Sequence, residues 1–185
     1  MLKLYKTAIE AGAFRVRYAD TLGTLSPFDT LPIIQRIRDE LKVEIDYHGH
    51  NDFGMATANA LAAFRGGANY ISCTVNGLGE RAGNTALEEI VTTLLYMEKC
   101  EIKIKFDKLI QISELVKRYS GRPINPGKPI VGEGVFSHES GIHVDGLIKD
   151  INNYQYLDPV ILGRKNEFVF GKHSGRAAKK AMGMI

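Results

Sequence analysis

Two histidines separated by a single residue, His48 and His50, point more directly to chemistry than any other feature of this sequence. They end a segment, 43–48, that is predicted to be a β-strand, so both side chains leave the same face at its carboxyl end. Two neutral imidazoles placed in this way can hold one divalent metal ion between them. Spacing alone leaves open the alternative of two surface or hydrogen-bonded histidines.

Polar residues near this pair strengthen the metal interpretation. Asn51 and Asp52 follow directly, and the Asp52 carboxylate can orient a ligating imidazole through its second nitrogen. The same two residues can instead shape a turn or cap the next helix. Asn84 offers an amide oxygen as a hard metal ligand, or alternatively caps the helix predicted over 85–99.

Other candidate positions have equally simple alternatives. Thr21 can bind a substrate carboxylate through its hydroxyl, or cap a turn. His143, flanked by glycines and an aspartate, is a candidate general acid or base, although a single histidine is usually structural. Glu80 and Arg81 are expected to pair across their loop, and the basic turn at 172–176 suggests either an anion site or a helix start.

The elements that must position these residues alternate between strand and helix. Strands are predicted over 14–19, 43–48 and 70–75, and helices over 3–11, from Ser26 to Leu41, 55–64 and 85–99. This βαβ spacing indicates parallel strands in an α/β fold. The loops ADTLG, HGHNDFG and NGLGERAGN then lie at the carboxyl ends of the strands, where parallel α/β folds carry their chemistry.

Composition excludes several classes of function. The chain has 185 residues and a net charge of +3, from 24 basic and 21 acidic residues without charge blocks, so no nucleic-acid partner is expected. No run approaches the ~18 apolar residues of a membrane span, and the N-terminus lacks the pattern of a signal peptide. Cys73 and Cys100 are expected to be buried free thiols, which favours a cytoplasmic location.

The pattern changes after residue 100. A short helix over 109–119 is followed by a Pro/Gly-rich connector, so a boundary is placed between a region 1–120 and an accessory region 121–185. Three strands alone make neither a barrel nor a covered sheet. The sequence therefore predicts either a fragment or a chain whose missing strands another polypeptide supplies.

Together these motifs resemble a known enzyme family. The segment HGHNDFGMATANALAAFRGGANYISCTVNGLGERAGNTALEEIV resembles the metal-binding part of homocitrate synthases and of the related isopropylmalate and citramalate synthases. The segments GVFSHESGIHVDGL, NYQYLDPVILGR and FGKHSGR resemble the connecting subdomain of the same enzymes. The combination of HxHND with NGxGERxGN about 30 residues later, in a βαβ setting, is specific to them.

The resemblance implies a fold and a metal site. The chain would carry about the last three βα units of a TIM (β/α)8 barrel, then a linker and a small accessory subdomain. It implies a divalent ion, with Mn, Mg, Zn and Fe left open, ligated by His48, His50 and Asn84. Thr21 matches the threonine that contacts the carboxylate of the 2-oxo acid. His143 and Tyr154 match catalytic residues that the accessory subdomain delivers to a neighbouring subunit.

The family's aspartate ligand, its arginine and its catalytic glutamate have no counterpart in this sequence. The partners expected are therefore an N-terminal half-chain that completes the barrel, and further copies in an oligomer with subdomain exchange. The predicted reaction is the condensation of acetyl-CoA with 2-oxoglutarate to homocitrate, as in the nitrogen-fixation enzymes. Isopropylmalate or citramalate synthesis from a smaller 2-oxo acid is the alternative, and a non-catalytic or vestigial barrel fragment is another.

Overall fold

A computed structural model describes residues 1–169 of the chain. The basic turn at 172–176 therefore lies outside the described residues. The chain divides into two compact units, Met1–Ile102 and Lys103–Ile185. This division precedes the helix near residue 110, whereas the sequence places the boundary after that helix, near residue 121.

The first unit contains three parallel strands and four helices in alternation. They are α1 (Leu2–Glu10), β1 (Arg15–Asp20), α2 (Pro27–Leu41), β2 (Glu44–Gly49), α3 (Ala56–Gly66), β3 (Tyr70–Ser72) and α4 (Leu87–Tyr96). The strand order is β1-β2-β3, and both pairs are parallel. The prediction of an α/β fold with βα units and parallel strands is confirmed.

The end of β3 differs from its prediction. The strand stops at Ser72, and Val75–Gly77 forms a short 3₁₀ turn. Thr74 bridges Ala86 in parallel, so the chain is still extended where the next helix was expected to begin. Helix α4 consequently starts at Leu87, and its N-cap is Ala86 rather than Asn84.

Helix α2 shows why these elements form where the sequence indicates. The Ser26 hydroxyl accepts a hydrogen bond from the Asp29 amide, and the Asp29 carboxylate accepts one from the Ser26 amide. This reciprocal capping satisfies amide groups that the first helical turn leaves unpaired. Helix α2 packs against α3. Because Gly66 on α3 has no side chain, the backbone of α3 lies close to Ile34 on α2.

The core of the first unit lies between the sheet and its helices. Its buried apolar residues are Val16, Ile34, Ile37, Ile45, Tyr47, Ala60, Ala63, Ala68 and Ile90. Burial of this apolar surface supplies the main driving force for folding of the unit.

The opposite face of the sheet is polar. Arg17 and Asp46 are register partners on β1 and β2, and the Arg17 Nε donates to the Asp46 carboxylate at 2.7 Å. The Ser72 hydroxyl on β3 donates to the same carboxylate at 3.0 Å. Barrel interiors are usually filled by branched apolar side chains, so this charged layer beside His48 departs from the common pattern.

The second unit has less regular structure. It contains α5 (Leu109–Ser120), β4 (Ser137–His138), α6 (Gly141–Lys149) and β5 (Glu167–Phe168), with β4 and β5 paired in parallel. Its buried apolar residues, among those described, include Leu109, Val131, Phe136, Val144, Leu147 and Leu162. Over residues 1–169, no helix is long and apolar enough to cross a membrane.

Candidate metal centre

The two predicted histidine ligands meet at the carboxyl edge of the sheet. His48 lies in β2 and His50 just beyond it, so both side chains project from the same side of the strand. Their Nε2 atoms are 3.2 Å apart, and the rings are nearly perpendicular at 85°. Bonds of ~2 Å from each nitrogen to one ion would put two ligand atoms at about this separation.

The surroundings of His48 favour the neutral form of its imidazole. Burial lowers the pKa of His48, and the neighbouring His50 lowers it further. His50 is itself buried, and within the described residues its Nδ1 has no hydrogen-bond partner. Metal binding requires a deprotonated imidazole nitrogen, and the lowered pKa of His48 favours the neutral ring that can provide one.

Asn84 is brought to the same place by the backbone. It forms an antiparallel bridge with His50. Its side-chain nitrogen, Nδ2, donates to the Leu78 carbonyl at 3.3 Å. Within residues 1–169 its side-chain oxygen is buried without a hydrogen-bond partner. A buried polar atom of this kind is costly unless something binds it. The capping role considered for Asn84 is wrong, because α4 begins three residues later.

These donors fit a divalent ion but do not complete its coordination. The His48 and His50 Nε2 atoms are in contact, and Asn84 is bridged to His50 through the backbone; imidazole nitrogens with an amide oxygen are a mixed set that suits several divalent metals. In the described part of the chain, no group of three or more His, Cys, Asp or Glu residues is gathered as a metal site. A full coordination sphere therefore requires further ligands besides His48, His50 and Asn84.

The acidic and basic residues of the loops pair differently from the prediction. Both carboxylate oxygens of Asp52 accept from Arg81, at 2.7 and 2.9 Å, so Asp52 contacts neither imidazole through a hydrogen bond. Arg81 pairs with Asp52 rather than with Glu80. The Arg81 hydrogen bonds also lower the pKa of Asp52. The neighbouring Asn51 accepts from the Ala56 amide at 3.1 Å, at the start of α3, although the N-cap residue of that helix is Met55.

The loop that carries Thr21 is built on a buried carboxylate, that of Asp20, to which the sequence alone assigns no role. Asp20 ends β1, and its two oxygens accept from the amides of Thr24 and Leu25, each at 3.1 Å. Thr21 is exposed beside it, and its carbonyl accepts from Arg81 at 2.8 Å. Its contact with a substrate carboxylate stays a prediction. An aspartate before a polar, glycine-containing turn was the signal available for Asp20.

The two predicted catalytic residues of the accessory region lie together within the second unit. The rings of His143 and Tyr154 are 4.6 Å apart between centroids, with 31° between their planes. Both residues are exposed. Gly146 makes this arrangement possible, since a side chain there would collide with the Tyr154 ring.

Comparison with known proteins decides the family. Residues 1–116 match the family model described as HMGL-like. The chain belongs to the HMGL-like family. Residues 130–183 match a second model, described as homocitrate synthase post-HMGL domain-like. The two matches leave 117–129 between them.

Curated relatives of this HMGL-like chain are longer than it is. It is 51% identical to 2-isopropylmalate synthase 2 of Caldanaerobacter subterraneus subsp. tengcongensis over 178 residues, 96% of this chain and 46% of that protein. It is 44% identical to the (R)-citramalate synthase CimA of Methanocaldococcus jannaschii over 180 residues, 97% of this chain and 37% of that protein. The chain thus spans less than half the length of these relatives.

Solved structures support the barrel fold. The HMG-CoA lyase of Bacillus subtilis matches with a TM-score of 0.60 and 25% identity, covering 66% of this chain and 43% of that one. The hydroxymethylglutaryl-CoA lyase of Pseudomonas aeruginosa matches with a TM-score of 0.61 at 20% identity, which concerns the fold alone. The names of the curated relatives favour the isopropylmalate and citramalate alternative over the homocitrate prediction.

Proposed function

We propose that this chain is the metal-loop and accessory part of an enzyme that condenses acetyl-CoA with a 2-oxo acid. The observation that carries the proposal is the 3.2 Å separation of the His48 and His50 Nε2 atoms, with the buried oxygen of Asn84 on the residue bridged to His50. The match of 130–183 to a synthase-type domain supports a synthase over a lyase. Relatives named isopropylmalate and citramalate synthases support a 2-oxo acid smaller than 2-oxoglutarate.

The metal loops would bind and orient the 2-oxo acid. A divalent ion bound by His48, His50 and Asn84 would supply Lewis acidity for a ketone carbonyl. Burial lowers the pKa of His48, which favours the neutral imidazole that a metal ligand requires. The exposed Thr21 hydroxyl, on the adjacent loop, would donate to the carboxylate of the 2-oxo acid and fix its orientation.

The accessory unit would supply the proton transfer. An imidazole nitrogen of His143 takes a proton from the acetyl methyl group while that carbon forms the new bond to the ketone carbon. The π electrons of the ketone pass to its oxygen, which takes up a proton and becomes the hydroxyl of the product. The Tyr154 ring, whose centroid lies 4.6 Å from that of His143, would hold the imidazole in one orientation. Water then cleaves the thioester, which releases CoA as the free thiol.

Further strands are needed to make a barrel of this sheet. Within the described residues β1 and β3 each pair on one side only, so their other edges are open to hydrogen bonding. We propose that a polypeptide segment with the remaining strands closes the barrel and brings the acidic metal ligand. The accessory unit would act at the active site of a neighbouring copy.

The decisive assay measures CoA release with a thiol reagent, using this chain assembled with a segment that carries the remaining strands. Acetyl-CoA is supplied with pyruvate, 2-oxoisovalerate or 2-oxoglutarate in turn, each with Mg²⁺, Mn²⁺, Zn²⁺ or Fe²⁺. We expect metal-dependent release with pyruvate or 2-oxoisovalerate. A clear preference for 2-oxoglutarate would instead establish the homocitrate reaction, and release with none of the three would favour a non-catalytic barrel fragment.

Variants of the histidine pair test the site itself. His48→Ala and His50→Ala should each abolish bound metal and CoA release together. Arg65→Met is the matched control, because its ion pair with Glu98 involves neither histidine. Unchanged metal content in both histidine variants would refute the assignment.

A further inference from the structure

One arginine ties together the three loops at the carboxyl edge of the sheet. Arg81 lies on the loop after β3, and Asp52 lies on the loop after β2. The Arg81 guanidinium donates to both carboxylate oxygens of Asp52, at 2.7 and 2.9 Å. Its Nη2 also donates to the Thr21 carbonyl, on the loop after β1, at 2.8 Å. A planar guanidinium suits this fork geometry, which a lysine ammonium cannot reproduce.

The backbone at Arg81 indicates that the side chain is needed at this position. Arg81 has φ +53°, a left-handed conformation that residues other than glycine rarely adopt. Glycine would adopt it without strain. The Arg81 side chain therefore stabilises a conformation that its own backbone disfavours.

The loop after β1 lies directly against the carboxylate that Arg81 holds. Gly23 has φ +64°, and a Cβ atom there would lie 2.7 Å from Asp52 Oδ2 and 3.1 Å from the Asp52 amide. The carboxylate thus has the Arg81 guanidinium and the Gly23 backbone as neighbours. Movement of Asp52 would break its ion pair with Arg81 and remove the side chain against which the Gly23 backbone packs.

The loops after β2 and β3 do not depend on this ion pair for their alignment. The Asn51 amide donates to the Gly83 carbonyl at 2.9 Å, and the Thr85 amide to the Gly49 carbonyl at 3.1 Å. His50 and Asn84 are bridged between these bonds. The Thr21 loop meets them through a longer bond, 3.4 Å from the His50 amide to the Asp20 carbonyl. Arg81 therefore acts mainly on the placement of Thr21.

We infer that Arg81 is a positioning residue that holds the Thr21 loop at a fixed distance from the metal ligands. Its loss should free the Thr21 loop, while His50 and Asn84 keep their backbone pairing. Substrate binding should suffer more than metal binding. The substrate part of this inference rests on the proposed function, whereas the loop-fixing part does not.

The test compares Arg81→Lys, Arg81→Gly and Asp52→Asn with the parent chain and with Arg65→Met. Lysine keeps the positive charge but cannot make the two parallel hydrogen bonds to Asp52. Glycine removes the side chain and adopts the positive φ without strain. Arg65→Met is a matched control, since the Arg65–Glu98 side chains are 54% and 16% exposed and those of Arg81–Asp52 are 46% and 21% exposed. Melting temperature is recorded for every variant.

Hydrogen exchange of the Thr24 and Leu25 amides is the first measurement. We expect roughly tenfold faster exchange at both amides in the Arg81 and Asp52 variants, and no change in Arg65→Met. Faster exchange at every amide with a lowered melting temperature would indicate a merely structural role and overturn the inference. Unchanged exchange at Thr24 and Leu25 would overturn it as well.

Metal binding and kinetics give the second measurement. A Co²⁺ titration, followed by its visible absorption, should change by less than about threefold, below the usual effect of losing a partner of a metal ligand. In the assembled enzyme, KM for the 2-oxo acid should rise by about tenfold or more, with a smaller change in kcat. A loss confined to kcat, with KM unchanged, would contradict the positioning role. If the parent enzyme releases no CoA, the proposed function fails, and amide exchange still decides the loop-fixing part.

Discussion

Gly79 lies directly against the side chain of Asn84. A Cβ atom on Gly79 would stand 2.5 Å from the amide nitrogen of Asn84 and 2.9 Å from its amide oxygen. No real Cβ contact is this short, so only glycine leaves room for the amide in this orientation. Gly79 thereby determines where the buried oxygen of Asn84 points.

Gly79→Ala should therefore weaken metal binding without unfolding the protein. The amide is the free end of the Asn84 side chain, so it can rotate away and take its oxygen from the site. We expect Co²⁺ affinity to fall by about threefold to tenfold, and about tenfold corresponds to ~1.4 kcal/mol. Gly127→Ala is the control, since its nearest neighbour would be 3.5 Å from the new atom. Equal affinities in the two variants would show that Asn84 is not a ligand.

Gly66→Ala should destabilise the first unit. A Cβ at Gly66 would lie 2.9 Å from the Ile34 Cβ and 3.0 Å from the Leu31 carbonyl oxygen, and neither atom can swing aside. Overpacking of this kind costs about 1–3 kcal/mol, against a gain of up to ~1 kcal/mol from replacing glycine inside a helix. Urea unfolding should show a lower midpoint with an unchanged slope. A midpoint equal to or above that of the parent would contradict the tight packing of α2 on α3.

The fold was predictable because its signals are local. Apolar periodicity and helix caps place α1, α2 and α3 within about two residues of their observed bounds. The convergence of His48 and His50 followed from alternation along one strand. These inferences need only neighbours in sequence, which a single chain provides.

The loop contacts were not predictable in the same way. Arg81 sits beside Glu80 in sequence, yet its partner is Asp52, 29 residues away. The left-handed backbone of Arg81 has no signature in residue type. Asn84 stands where an N-cap belongs, but pairing of Thr74 with Ala86 keeps the chain extended beyond it. Each outcome depends on strand register, which sequence patterns alone leave open.

The choice of 2-oxo acid could not be predicted for a related reason. The motifs that carry the resemblance, HxHND and NGLGERAGN, lie on the two loops that we propose as the metal site. Under this proposal their residues would act on the part that all 2-oxo acids share. They therefore indicate the class of reaction and leave the length of the substrate open.

Cys73 should be a poorly reactive thiol. Burial raises the pKa of Cys73, and the nearby Glu88 carboxylate raises it further. The folded state thus favours the neutral thiol, and this contribution to stability is present at neutral pH and lost as pH rises through the folded pKa. In a Cys100→Ser variant, alkylation by iodoacetamide at pH 8 should be at least about tenfold slower than in the same chain in guanidinium. Equal rates would contradict the burial of this thiol.

Gly146→Ala should separate Tyr154 from His143. Gly146 lies within α6, where alanine favours the helix, so any harm must come from the collision between the new methyl group and the Tyr154 ring. In the parent chain, the ring current of Tyr154 shifts the proton resonances of His143. In Gly146→Ala, NMR should show these resonances nearer to the values of a free histidine.

Gly146→Ala also tests whether the contact between His143 and Tyr154 matters for catalysis. In the assembled enzyme, Gly146→Ala should lower kcat by about tenfold, and His143→Ala by the ~10²–10⁴ that a general base contributes. Co²⁺ binding should remain unchanged in both, because the metal ligands lie in the first unit. Gly127→Ala again serves as the control within the second unit. Loss of metal in His143→Ala would contradict its role in proton transfer, and unchanged resonances in Gly146→Ala would contradict the stack.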